Sequence, residues 1–256
     1  MTANNARSSN DALAKLDRLL PDLESLYKDV HAHPELSMQE TRTAGLAADR
    51  LRAGGYEATT GVGKTGVVGL LRNGNGPTVM LRADMDALPV EEATGLPYAS
   101  KVTATDREGK TVPVMHACGH DMHVACLVGA TTLLAQARGA WHGTVMAVFQ
   151  PAEETGEGAQ AMIDDGLFDR FPKPDAVLGQ HVMVGPAGAI GGRAGVVTSA
   201  GDSLQIRLFG RGAHGSMPQA SIDPVVMAAA TVLRLQTIVS RELAATEAAV
   251  VTIGSL

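Results

Sequence analysis

Cysteine is scarce: the 256 residues hold two, Cys118 and Cys126. Two thiols make no disulfide framework, so the expected compartment is a reducing one, the cytoplasm. No run of Lys or Arg stands out and the formal net charge is −6, which argues against nucleic acid and anionic membrane as partners. The opening stretch, MTANNARSSNDALAKLDRLL, has no apolar core of signal-peptide type. Long apolar runs are missing too. The uncharged stretch 124–137 is too short to span a bilayer, and the one over 176–192 is broken by Pro and Gly. Aromatics make up only 3%, and no internal repeat or low-complexity tract is visible. What remains is a 45% hydrophobic, globular composition, enough for one large domain or two smaller ones.

Periodicity places the elements. Residues 11–32 read as a helix, with Leu16, Leu19, Leu20, Leu23 and Leu26 at helical spacing and Pro21 placed to start a second segment. A loop, HAHPELSMQE, follows. Residues 41–53 form a second amphipathic helix, stopped by Gly54 and Gly55. YEATT, TGVVGLLR and PTVMLRAD are strand-like, and the NGNG between the last two signals a hairpin. Residues 121–138 read as a helix with Val124, Leu127, Val128 and Leu134 on its apolar face, and Cys126 is expected in the core beside them. TVMAVFQ reads as a strand buried on both faces, GAQAMIDDG as a short helix and DAVLGQH as another strand. The alternation predicts an α/β fold, with a mixed sheet covered by helices on both faces.

Near residue 196 the texture changes. SLQIRLFG alternates like a half-exposed strand, 223–242 reads as a long helix, and EAAVVTIGSL as a strand. The expectation is a larger domain over 1–196 and a smaller, partial α+β domain over 197–256.

Chemistry-bearing residues recur where the apolar strands stop. Asp84 and Asp86 end PTVMLRADMD, Glu153 and Glu154 end TVMAVFQPAEE, and His181 ends DAVLGQH. MHACGHDMH, residues 115–123, runs into a helix start. The carboxyl ends of strands in an open α/β sheet are where ligands bind. Asp, Cys, His and Glu delivered together to one edge are the donors of a divalent metal site. Cys118 and His120, two apart across Gly119, converge on one ion if the loop is extended; His116 and His123 are expected to support or pack. Of the paired glutamates, one is suited to bind metal and its neighbour to take a proton from water. Asp84 and Asp86 either ligate, orient a ligand histidine, or cap a turn. A closed structural zinc module fits less well, since Glu and His donors on a sheet edge leave coordination positions open.

LRADMDALP, MHACGHDMH, FQPAEETGEGA, QHV and GRGAHGSMPQASIDPV occur in this order, with HAHPELSMQE before them. Together they resemble the metal-dependent amidohydrolase branch of the aminoacylase/carboxypeptidase metallopeptidase superfamily, which includes hippurate hydrolases and indole-3-acetyl-amino-acid hydrolases. The resemblance implies a zinc-peptidase-like catalytic domain with a smaller lid and dimerisation domain, incomplete at its C-terminus. It makes Cys118, His120, Glu154 and His181 metal ligands and Glu153 the general base. Asp86, with Asp84, then stands behind a ligand histidine. His214 becomes a histidine that reaches the active site, often from the other subunit, to steady the oxyanion. Up to two divalent ions per complete subunit are implied, Mn or Zn first, with Co or Ni also suited to the donors. The implied substrate is a small N-acyl amino acid, and the complete protein is expected to be a homodimer. Alternatives are a dipeptidase or carboxypeptidase of the same superfamily, or an inactive, truncated metal-binding homologue. Members of the family run longer and supply a further ligand histidine; no candidate for it follows His214.

Overall fold

The computed structural model describes residues 13–198 and 200–256. The first two residues of the helix expected over 11–32 lie outside them. From Leu16–Ala32 the chain is one helix, α1, with Pro21 inside it. Proline here forfeits a single backbone bond close to the helix start, so the helix continues rather than restarting. Helix α2, Thr41–Ala53, buries Ala44, Ala47, Ala48 and Leu51, a stripe at helical spacing whose small side chains allow close approach to the sheet.

Among the described residues seven strands follow, interleaved with helices. They are β1 (Glu57–Val62), β2 (Gly66–Asn73), β3 (Thr78–Asp84), β4 (Thr103–Thr105), β5 (Thr111–Pro113), β6 (Gly143–Gln150) and β7 (Ala176–Gly179). Helix α3, His120–Gln136, precedes β6, and α4, Gly158–Asp164, and α5, Leu167–Arg170, follow it. The main sheet has the order β1-β2-β6-β3-β7. β2 runs antiparallel to β6, whereas β3 is parallel to both β6 and β7.

That order corrects the hairpin expected at NGNG. β2 and β3 are neighbours in sequence but not in the sheet, because β6 lies between them. The turn signal is local, whereas β6 is apolar on both faces and takes the centre, where both flanking strands gain a buried neighbour. The two faces carry separate cores. One packs Phe149, Leu71 and Val67 against Leu51, Val30, Val124 and Val128 of the first three helices. The other packs Met146, Val148 and Leu70 against Met162 and Leu167 of α4 and α5. Each such fully buried side chain contributes about 1.5–3 kcal/mol. The mixed, doubly covered sheet expected from the sequence is therefore present.

Cys126 is a second correction, being exposed rather than core. The buried stripe of α3 runs through His120, His123, Val124, Leu127, Val128 and Thr131. Position 126, like the exposed Met122, falls off that stripe.

The described chain divides into units 1–187 and 188–256, nine residues earlier than the composition change suggests. In the second unit Asp223 caps α6, Pro224–Thr237, by accepting from the amides of Val225 and Val226. A π-turn, Ile238–Glu242, ends it. The segments SLQIRLFG and EAAVVTIGSL are not strands. Neither finds a ladder partner among the described residues, and Leu204, Phe209 and Val250 stand exposed there. An alternating pattern makes a strand only where a neighbour supplies the hydrogen bonds. Among the described residues no helix is long and apolar enough to cross a membrane.

Candidate metal centre

The parallel strands β6, β3 and β7 end on one edge of the sheet, and α3 begins there. Asp84 and Asp86 at the end of β3 are buried, at 0% and 1% exposure. His120 opens α3 and is fully buried. Glu153 and Glu154 follow β6, and His181 follows β7.

Gly119 makes the entry to α3 possible. Its φ is +80°, and a β-carbon on it would collide with Val182. Alanine there combines a left-handed penalty of about 1–2 kcal/mol with that clash. Gly119→Ala is therefore expected to lower Tm by at least about 2–4 °C, using the usual conversion for a chain of this size. A thermal melt checks it; an unchanged Tm would mean the turn relaxes freely.

The imidazoles are oriented by their far nitrogens. His120 Nδ1 donates to the Asp86 carbonyl at 2.8 Å, so its Nε2 carries the lone pair. His181 Nδ1 donates to the Val182 carbonyl at 2.7 Å, which leaves its Nε2 facing Cys118 Sγ at 3.4 Å. From His120 Nε2, Glu153 Oε2 lies at 3.7 Å and Glu154 Oε1 at 3.8 Å. Two groups thus share His120: Cys118–His120–His181 and His120–Glu153–Glu154, each with its ligand atoms within 4.8 Å of one another. A third group, Asp84–His120–His123, meets the same criterion, but its hydrogen bonds are already committed. His123 Nδ1 donates to Asp84 at 2.6 Å, and its Nε2 accepts from the Val182 amide at 3.0 Å.

The arrangement fits a divalent ion. His120 Nε2 and Glu154 Oε1 are buried and have no hydrogen-bond partner, and they face each other. Ligand bonds of about 2.0–2.3 Å put two donors of one ion roughly 3–4 Å apart, which is the spacing seen. The sulfur, imidazole and carboxylate donors suit a transition metal. Burial, with Glu154 next, pushes the Cys118 thiol up to about 11; a pocket of this kind holds a neutral thiol or a thiolate bound to a cation. Burial likewise raises Glu154 against the pull of His120.

Asp84 and Asp86 do separate work. Burial pushes the Asp84 carboxyl up, but the His123 hydrogen bond, His120 and Arg82 outweigh it and bring it to about 2. Asp86 is also lowered against its burial, by His120, Ser37 and two backbone amides. Those amides belong to Glu153 and Glu154, each donating at 3.0 Å, so Asp86 aims both the imidazole and the glutamate loop. His116 is buried with neither ring nitrogen partnered, and burial holds its pKa down at about 4.

His214 belongs to the second unit. Its Nδ1 meets Ser216 Oγ at 2.8 Å, and the loop around it lines a cavity of ≈ 460 Å³ with Arg211 and Asp223. Sequence reasoning missed Glu40. It lies in a polar segment that reads as a loop, with no apolar pattern to announce that its carboxylate is fully buried.

Known proteins match this chain over most of its length. Hippurate hydrolase of Campylobacter jejuni is 43% identical over 236 residues, which is 91% of this chain and 58% of that protein. N-acetyl-L-cysteine deacetylase of Bacillus subtilis is 39% identical over 243 residues, 94% of this chain and 56% of that protein. Among solved structures, the Bacillus subtilis YXEP protein, a dinuclear metal binding peptidase, is 38% identical with a TM-score of 0.57, over 64% of this chain and 43% of that one. The chain thus spans less than two thirds of the length of the curated relatives it matches. Residues 80–254, well over half of the chain, match the family described as Peptidase family M20/M25/M40, and the chain belongs to that family.

Proposed function

We propose that this chain carries the active centre of a metal-dependent amidohydrolase that cleaves N-acyl amino acids or similar small acyl conjugates. The observation that carries the reading is the pair of orphaned, buried atoms, His120 Nε2 and Glu154 Oε1, 3.8 Å apart. Cys118, His120, Glu154 and His181 hold the ion or ions, up to two per complete subunit, with Mn or Zn best suited and Co or Ni compatible. The relatives' names, hippurate hydrolase and N-acetyl-L-cysteine deacetylase, support the substrate class.

When bound, a divalent ion polarises the amide carbonyl and acidifies water. Glu153 takes the proton as the water oxygen attacks the carbonyl carbon. It then returns that proton to the nitrogen as the C–N bond breaks, leaving a carboxylic acid and an amine. Its side chain is 39% exposed against 18% for Glu154, which suits a base that meets water beside a ligand that does not. Asp86 keeps the His120 Nδ1 proton engaged and the lone pair forward. In this reading the smaller unit is the lid and pairing surface of a cytoplasmic homodimer, and His214 steadies the oxyanion.

The test is metal content after loading with Mn²⁺ or Zn²⁺, followed by amine release from hippurate and N-acetyl amino acids, on this chain and on a form of the relatives' full length. Cys118→Ser should reduce ion binding at least tenfold, by analogy with weakened ligation elsewhere. A wild-type chain that takes up no ion would overturn the ligand assignment.

A further inference from the structure

Three non-glycine residues among those described have left-handed backbone: Met38 (φ 64°), Lys64 (φ 87°) and Ala152 (φ 46°). Such conformations are costly for residues with a β-carbon and persist only where the surroundings over-determine them. Two of the three donate to one side chain, and the third adjoins a residue that does. Glu40 Oε1 accepts from the amides of Met38, at 3.0 Å, and Ala152, at 2.8 Å. Its Oε2 accepts from the hydroxyl of Thr65, the residue after Lys64, at 2.6 Å. Glu40 is 0% exposed.

Ala152 immediately precedes the glutamate pair. Its carbonyl accepts from Gly158 at 3.0 Å, and a β-carbon on Gly158 would overlap the Pro151 carbonyl, so the loop closes tightly on itself. The amides of Ala152, Glu153 and Glu154 are then held in succession by two buried carboxylates. Glu40 takes the first, and Asp86 takes the second and third at 3.0 Å each.

We propose that Glu40 is a positioning residue for Glu153 and Glu154: by accepting from the Ala152 amide it holds that residue left-handed, and so turns the two following side chains towards His120. This rests on the role of the glutamate pair proposed above. The Glu40 carboxylate works as an acceptor with defined reach, since its three donors are all neutral. Glutamine at this position keeps an oxygen for the two amides, and the Thr65 hydroxyl can rotate to accept from its amide group. Aspartate keeps the charge but is one methylene short.

The experiment compares Glu40→Gln, Glu40→Asp and Glu40→Ala, with Val30→Ala, a buried residue of α1, as a core control. The readouts are amide hydrogen exchange of the 150–158 segment and Mn²⁺ affinity. Glu40→Asp and Glu40→Ala should speed exchange in that segment at least tenfold and weaken Mn²⁺ at least tenfold. Glu40→Gln should stay within about threefold of wild type. Val30→Ala should lower Tm without a selective effect on the segment. If Glu40→Ala does not fold, the contrast between Gln and Asp decides. Equal behaviour of those two, wild-type exchange in Glu40→Asp, or a matching effect of Val30→Ala would overturn the proposal. A wild-type chain that binds no Mn²⁺ would instead defeat the ligand reading, and exchange at 150–158 would still decide the role of Glu40.

Discussion

Glu153→Gln is expected to leave ion binding intact and to lower amide hydrolysis about 10²–10⁴-fold, the usual contribution of a general base. Glutamine fills the same volume, and the backbone amide of position 153 still donates to Asp86 Oδ1 at 3.0 Å. The loop should therefore keep its shape, and only the ability to take and return a proton is lost. Glu154→Gln should fail differently. Glu154 Oε1 is buried without a partner, and an amide group there offers a weaker ligand or turns an N–H towards the ion site. Its first effect should be on ion affinity, with activity following. Turnover numbers at saturating ion, set beside binding titrations of both variants, separate the two roles. They are best measured on a form active enough to resolve a hundredfold loss. Near wild-type turnover in Glu153→Gln would remove it from the mechanism.

Which side chains of the candidate centre could be expected together from sequence depended on how local the signal was. The nearness of Cys118 and His120 was legible because the cluster is contiguous and opens a helix. The convergence of Glu153, Glu154 and His181 on the same edge was legible because each follows an apolar strand, and parallel strands deliver their ends to one edge. The NGNG hairpin failed for the opposite reason. Turn residues describe four positions, whereas strand order follows from which strand can be buried on both faces, and β6 won the place beside both β2 and β3. SLQIRLFG and EAAVVTIGSL failed because alternation describes a side chain's surroundings and not the ladder that must supply them. Cys126 failed by a single position on a helix wheel. Glu40 left no pattern at all. Its role depends on partners 25 and 112 residues away, and no spacing in the sequence encodes those contacts.

The choice between the overlapping donor groups leads to the other large effect. His120 is common to all three, and its Nε2 has no partner. His120→Ala is therefore expected to abolish ion binding. His123→Ala should cost only about 10–100-fold in affinity, the range for losing a partner that orients a ligand. The reason is its wiring: one nitrogen donates to Asp84 at 2.6 Å and the other accepts from the Val182 amide at 3.0 Å. His123 thus secures the turn that carries His181, whose ring centroid lies 4.7 Å from its own, and has no lone pair left for an ion. Heat makes the difference visible. An ion present at a hundred times its Kd stabilises the folded chain by about 2.7 kcal/mol, or roughly 5–10 °C in Tm for a chain of this size. Wild type should lose that increment when a chelator is added, His123→Ala should lose part of it, and His120→Ala should melt at one temperature with or without chelator. If His123→Ala proves as insensitive to chelator as His120→Ala, the ion sits between Asp84, His120 and His123. The committed hydrogen bonds of His123 would then have to break on loading, and Cys118 would be left outside the centre.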